Sequence, residues 1–191
     1  MPEDLSPQQS LALIQNMIGK ARVDLSKNRF YFLLWGWFAF LAMITQFVVK
    51  TVFHFPYHYL VWSLSIPVTI ITIIRSGRDA RRSNTKTYVG ESMGHLWMGL
   101  GISFFILIFI LSSRVMGWQF TIPLSILFYG LGTFVSGRIL QFKPFVVGGI
   151  INWVLACIAV YIHYDYQLLL GAVAVLCSYL VPAYLLSKIE A

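Results

Sequence analysis

The chain has 191 residues, 58% of them hydrophobic and only 11% charged, whereas soluble domains carry about 25% charged residues. That imbalance excludes a water-exposed globule and points into a bilayer. Fourteen Lys and Arg against seven Asp and Glu make the chain basic, and two cysteines are too few for a disulfide framework.

Residues 1–29 read as a soluble cytoplasmic segment. They contain seven charges and no apolar core before Phe30, which fits a retained first anchor rather than a secretory signal. Ser6 suits an N-cap, Pro7 the first helical position and Gln9 the reciprocal partner of a capping box. Leu11, Ile14, Met17, Ile18, Ala21 and Leu25 then recur at helical spacing, with Gln15, Lys20 and Arg22 off that stripe. An amphipathic helix of this kind fits the inner membrane surface. It fits packing on the bundle's inner ends or on another subunit equally well, and a partner's docking site is a third reading.

Beyond Phe30, cutting the chain at every charged residue leaves windows at 30–49, 51–74, 92–113, 115–137, 144–164 and 166–187. Each holds 20 to 24 residues, and a helix needs about 20 to cross the hydrocarbon core. The windows are apolar on every face, so the alternating pattern of a membrane β-barrel does not fit. The expected fold is all-α: a polytopic membrane protein whose domain at 30–188 has six transmembrane helices. These fall at about 30–50, 57–75, 93–113, 118–137, 144–163 and 166–187, arranged as three antiparallel hairpins, with a cytoplasmic C-terminus at 189–191. Pro67, Pro123 and Pro182 in the second, fourth and sixth spans are candidate kinks. The triplet Ser-Gly-Arg at 76–78 returns at 136–138, which fits a hairpin repeat of sixty residues.

Basic residues set the orientation. With the N-terminus inside, inner segments hold twelve of the fourteen Lys and Arg, and the outer ones only Lys50 and Arg114. Cytoplasmic loops are enriched in Lys and Arg, so both termini are expected inside. Arg75, Arg78, Arg81, Arg82 and Lys86 after the second span exceed what orientation needs, and suit anionic lipid head groups or a cytoplasmic protein partner.

No Asp, Glu, Lys or Arg lies within the spans away from their ends, which disfavours a carboxylate-coupled transporter. The candidate polar path is Gln46, Tyr129 and Asn152; for Asn152 an interhelical hydrogen bond is the plainer role. His95 near the inner end of the third span reads as interfacial. On the outer side His54, His58, His163 and Asp165 are a weak candidate metal or pH-sensing cluster, with an aromatic belt as the plainer reading. Cys157 and Cys177 lack metal-type spacing and read as structural thiols. The stretches "WMGLGIS" and "VVGGIIN" offer small-residue faces for close helix approach. No nucleophile elbow, phosphate loop, paired carboxylates or zinc-protease motif is present. Neither an enzyme, a cofactor nor a nucleic-acid partner is expected, while the bilayer and a homo-oligomer are.

Through "SPQQSLALIQNMIGKAR", "FYFLLWGW" and "LQFKPFVVGGII" the chain resembles a group of short six-span membrane proteins from Bacteroidetes-type bacteria, over Ser6 to about Pro182. The resemblance implies the bacterial inner membrane and a role in envelope sensing or regulation. "LWGWFAF" and "LWMGLGI" are more loosely similar to the three-hairpin acid-resistance membrane family, from which the chain departs in its N-terminal cap and sparse repeat identity. These readings lead to a non-enzymatic integral membrane protein that binds a partner or lipid. The alternative is a small-solute channel or transporter with a polar path between kinked helices.

Overall fold

The computed structural model describes residues 6–27, 29–82, 88–113 and 117–186. Lys86 and the segment 189–191 lie outside them, as do the side chains of Arg81 and Arg82. Helix α1 (Pro7–Lys27) starts at the expected reciprocal cap: the Ser6 N–H donates to Gln9 Oε1 at 2.9 Å and the Gln9 N–H to Ser6 Oγ at 3.2 Å. Pro7 has no N–H, so this helix start leaves three donors unpaired rather than four, and two of them are met this way. Asn28 alone separates α1 from α2 (Arg29–Thr51).

Six segments are long and apolar enough to cross a membrane: Phe30–Thr51, His58–Arg78, Glu91–Ser112, Trp118–Ile139, Lys143–Val160 and Tyr164–Leu185. The first is α2. The second is a 3₁₀ stretch, His58–Leu64, running into α3 (Ser65–Arg82), and the third is α4 (Tyr88–Ser112). A 3₁₀ turn at Trp118–Phe120 leads into α5 (Thr121–Ile139), and α6 (Lys143–Val160) follows. The last span has three parts: α7 (Tyr164–Val175), a π turn at Leu176–Leu180, and α8 (Val181–Leu186).

The prolines act differently from one another. Pro67 and Pro123 are each the third residue of their helix, α3 and α5. Each also follows a 3₁₀ stretch that runs into its helix, His58–Leu64 before α3 and Trp118–Phe120 before α5, so the missing N–H falls where the ladder changes from 3₁₀ to α. Pro182 lies inside a span, two residues past the π turn. There the extra residue in the turn is how the helix accommodates the proline.

Tight packing is concentrated in α5, α6 and the last span, with α2 laid along α7. Small residues make it possible. A Cβ on Gly149 would lie 2.8 Å from Gly130 O and 2.7 Å from Phe134 Cβ, so α5 and α6 meet backbone to backbone. A Cβ on Gly148 would lie 2.9 Å from Cys177 O in the π turn, and one on Gly36 of α2 would lie 2.9 Å from the Leu180 side chain. Lipid tails are as apolar as leucine, so helices associate in a bilayer through contact area, which small residues increase. One buried cluster, built on Met93, Leu140, Phe142 and Phe145, lies toward the end of the bundle that carries Arg138. The other, built on Ile122, Ala159 and Leu168, lies toward the end that carries Lys50.

Helices α3 and α4 are peripheral by contrast. No residue in the apolar window of the second span is buried, and Ile66, Ile70, Ile73 and Ile74 are exposed, as are Phe105 and Phe109 on α4. Side-chain links to the second span include Trp35 Nε1 donating to Thr72 Oγ1 of α3 at 3.0 Å and the rings of Phe38 and Trp62, the latter in the 3₁₀ stretch, in edge contact. Of the two glycine-rich stretches, "VVGGIIN" packs as expected, whereas added Cβ atoms on Gly99 and Gly101 of "WMGLGIS" would meet nothing within 4 Å.

Candidate functional site

The π turn creates a polar site in an otherwise apolar bundle. The Val181 N–H bonds to Leu176 O rather than to Cys177 O. The donor one residue further on would be Pro182, which has no N–H, so the Cys177 carbonyl is left without a helical donor. Ser178 Oγ turns back to Ala174 O at 2.6 Å. On the facing α6, Asn152 stands one turn after Gly148, whose backbone the Cys177 carbonyl approaches. Asn152 is 0% exposed, and neither its Nδ2 nor its Oδ1 has a hydrogen-bond partner among the described residues. Ser136 Oγ of α5 is buried and without a partner in the same sense. An unpaired buried amide costs about 1–3 kcal/mol, which makes this the polar position in the bundle core that packing explains least.

No hydrogen bond joins Asn152 to Gln46 or Tyr129, the other residues of the expected polar path. Gln46, near the far end of α2, is a structural hub: its Oε1 accepts from Trp62 Nε1 at 2.6 Å, its Nε2 lies 3.1 Å from His58 Nδ1, and Tyr164 bonds it as well. One amide thus ties the first span to the starts of the second and the last. Tyr129, midway along α5, belongs to an aromatic cluster in which its hydroxyl bonds that of Tyr179 and its ring packs against Trp97 and Phe104. A hollow of about 240 Å³ opens beside this cluster, lined by Tyr31, Phe32, Trp35, Trp97 and Tyr179. Gln46, Tyr129 and Asn152 are absent from its lining.

The His54 cluster is divided. His54, in a left-handed conformation with φ 51°, faces Val52 O at 3.2 Å, while His58 is engaged with Gln46. His163 Nδ1 lies 3.5 Å from Asp165 Oδ2, and Asp165 Oδ1 pairs with Lys50, whose ammonium also sits 4.5 Å from the Tyr164 ring centre. Among the described residues no three His, Cys, Asp or Glu side chains group as metal ligands. Nothing in the residue spacing announced the Lys50–Asp165 pair, but one signal was there. Asp165 is the only acid in the outer segments, and Lys50 is one of their two cations.

At the basic end, Arg75 stacks its guanidinium 3.9 Å from the Phe30 ring centre, holding α3 to the start of α2. Arg78 is exposed. His95 is exposed, Cys157 is exposed and Cys177 is half-buried, with both thiols free. On α1, Leu11, Ile14 and Met17 are all exposed, so this part of the stripe does not pack on the bundle. Compared with known proteins, the chain matches no family model, no curated protein and no solved structure.

Proposed function

We propose that this is a non-enzymatic integral membrane protein whose basic, cytoplasmic face engages the inner leaflet through α1 and the arginine-rich end of α3. The carrying observation is the capped helix α1, with Leu11, Ile14 and Met17 exposed and one residue between it and the first span. So short a connection keeps α1 at the membrane surface. The apolar stripe suits the boundary of head groups and acyl chains, and each of Lys20, Arg22 and Lys27 adds about 1 kcal/mol of attraction to anionic lipid. Twelve basic residues on this side against two on the other support both termini being cytoplasmic. The three-hairpin arrangement accords with the alternation of the six spans. The bacterial inner membrane and a part in envelope sensing rest on the resemblance alone.

Hydrogen exchange on the full chain in nanodiscs tests this. Amides of residues 7–27 should be protected when anionic lipid is added to a phosphatidylcholine disc, and the gain should vanish in a K20Q/R22Q/K27Q variant. Equal exchange in both discs would contradict it. A protein recovered with the full chain and lost on deleting residues 1–29 would move the role from lipid to a protein partner.

The second reading, a small-solute pathway, draws on the unpaired Asn152 amide beside the broken last span, since interrupted helices frame solute sites in transporters. Solute flux into proteoliposomes that is abolished by Asn152→Leu would favour it over the leaflet reading.

A further inference from the structure

Beyond α1 and α3, a separate basic hollow stands at the turn between α5 and α6. It encloses about 340 Å³ and is lined by Gly137, Arg138, Gln141, Lys143 and Val146. The described lining therefore holds two cations and no acid. Its frame is fixed from beneath. The Phe142 N–H donates to Gly137 O at 2.9 Å, the Leu140 N–H donates to Ser136 O at 3.0 Å, and Leu140, Phe142 and Phe145 are buried in the core cluster of that end. Gln141 takes a left-handed conformation with φ 50°, which turns the chain sharply between the two spans. Gly137 is needed at the back wall, because a Cβ there would lie 2.6 Å from Val146 N. Arg138 is the next-to-last residue of its span and Lys143 the first of the next, which sets both at head-group depth. The N-cap of α6, Phe142, makes no side-chain cap, so the positive end of that helix also faces this turn.

We propose that this hollow binds a phosphate-bearing anion, with Arg138 and Lys143 on either side of it, and that the anion is the head group of an anionic inner-leaflet phospholipid. A pair of cations beside a hollow whose described lining holds no acid suits a compact anion, and a guanidinium next to an ammonium suits phosphate oxygens. The chain holds the pair at the depth where such head groups lie. The proposal rests on the cytoplasmic orientation argued above, but it concerns residues apart from α1 and α3, so it can fail separately.

Full-length protein in micelles, titrated with phosphatidylglycerol, phosphatidylcholine or inorganic phosphate and read by native mass spectrometry, tests it. Wild type should retain phosphatidylglycerol over phosphatidylcholine by about tenfold. The R138Q/K143Q variant should lose that preference, while R75Q/R78Q and the charge-conserving R138K/K143R keep most of it. An unchanged preference in R138Q/K143Q, or an equal loss in R75Q/R78Q, would overturn the site in favour of general surface charge. Displacement of the lipid by millimolar inorganic phosphate would support the phosphate chemistry while assigning the site to a soluble anion. Loss of anionic-lipid protection in α1 with the R138/K143 preference intact would sink the leaflet reading and leave this site standing. Both side chains are exposed, so the variants should fold, and unchanged gel-filtration profiles check that they do.

Discussion

Ser-Gly-Arg occurs twice in this chain, and its two copies have opposite surroundings. Ser76, Gly77 and Arg78 are all exposed at the end of α3, and a Cβ on Gly77 would meet nothing within 4 Å. Ser136 and Gly137 are buried at the end of α5, with Val146 N 2.6 Å from where a Cβ would stand. What differs is the helix around the triplet. α5 and α6 bring Gly130, Gly137 and Gly149 to one seam, whereas the corresponding length of α3 is lined with isoleucines. Within a bilayer an isoleucine gains little by leaving lipid for protein, and a glycine seam gains close contact. Span-forming hydrophobicity and bundle-forming packing are therefore separate properties of this sequence.

Substitutions can break that contrast. The largest effect is expected at Gly149→Leu, which forces apart two backbones and should cost about 3 kcal/mol or more, or prevent folding, while Gly99→Leu should stay within about 0.5 kcal/mol. Thermal melts of the two proteins in the same detergent compare them directly. Gly137→Leu against Gly77→Leu repeats the test on identical triplets, with a loss of about 1–3 kcal/mol expected only at Gly137. Similar melting points for that pair would show that the α5–α6 seam can relax. Gln46→Leu strands the Trp62 indole and is expected to cost about 1–3 kcal/mol, loosening the second span from the first. Proteolysis near residues 52–57 should quicken accordingly. The smallest effect separates packing from polarity: Asn152→Leu removes an amide with no partner and should leave stability unchanged or raised by about 1 kcal/mol. A clear loss there would mean that the amide has a bound guest to hold.

The six spans were legible because charge is excluded from hydrocarbon so strictly that the uncharged windows alone mark them. The capping box at Ser6 and Gln9 was legible for a similar reason, being a local rule with a fixed three-residue spacing. What depended on neighbours was not. "WMGLGIS" and "VVGGIIN" look alike in sequence, yet only the second has a partner helix close enough to use its glycines. The prolines were legible as candidate irregularities but not in kind: Pro67 and Pro123 follow 3₁₀ stretches that open their spans, and Pro182 follows a π turn. As for the candidate polar path, Gln46, Tyr129 and Asn152 share a chemical type, but Gln46 and Tyr129 bond to other side chains and Asn152 has no partner among the described residues.

The most direct test of the leaflet reading is spin-label accessibility at Ile14 and Asn16 of α1, in full-length protein lacking Cys157 and Cys177 and reconstituted in anionic nanodiscs. Ile14 is 53% exposed in the bundle, and Asn16 is exposed some 200° around the same helix. The account predicts that a label at Ile14 is relaxed mainly by oxygen, as in lipid, and one at Asn16 mainly by a water-soluble nickel complex. Water-like behaviour at both positions, or shielding from both reagents at Ile14, would contradict it.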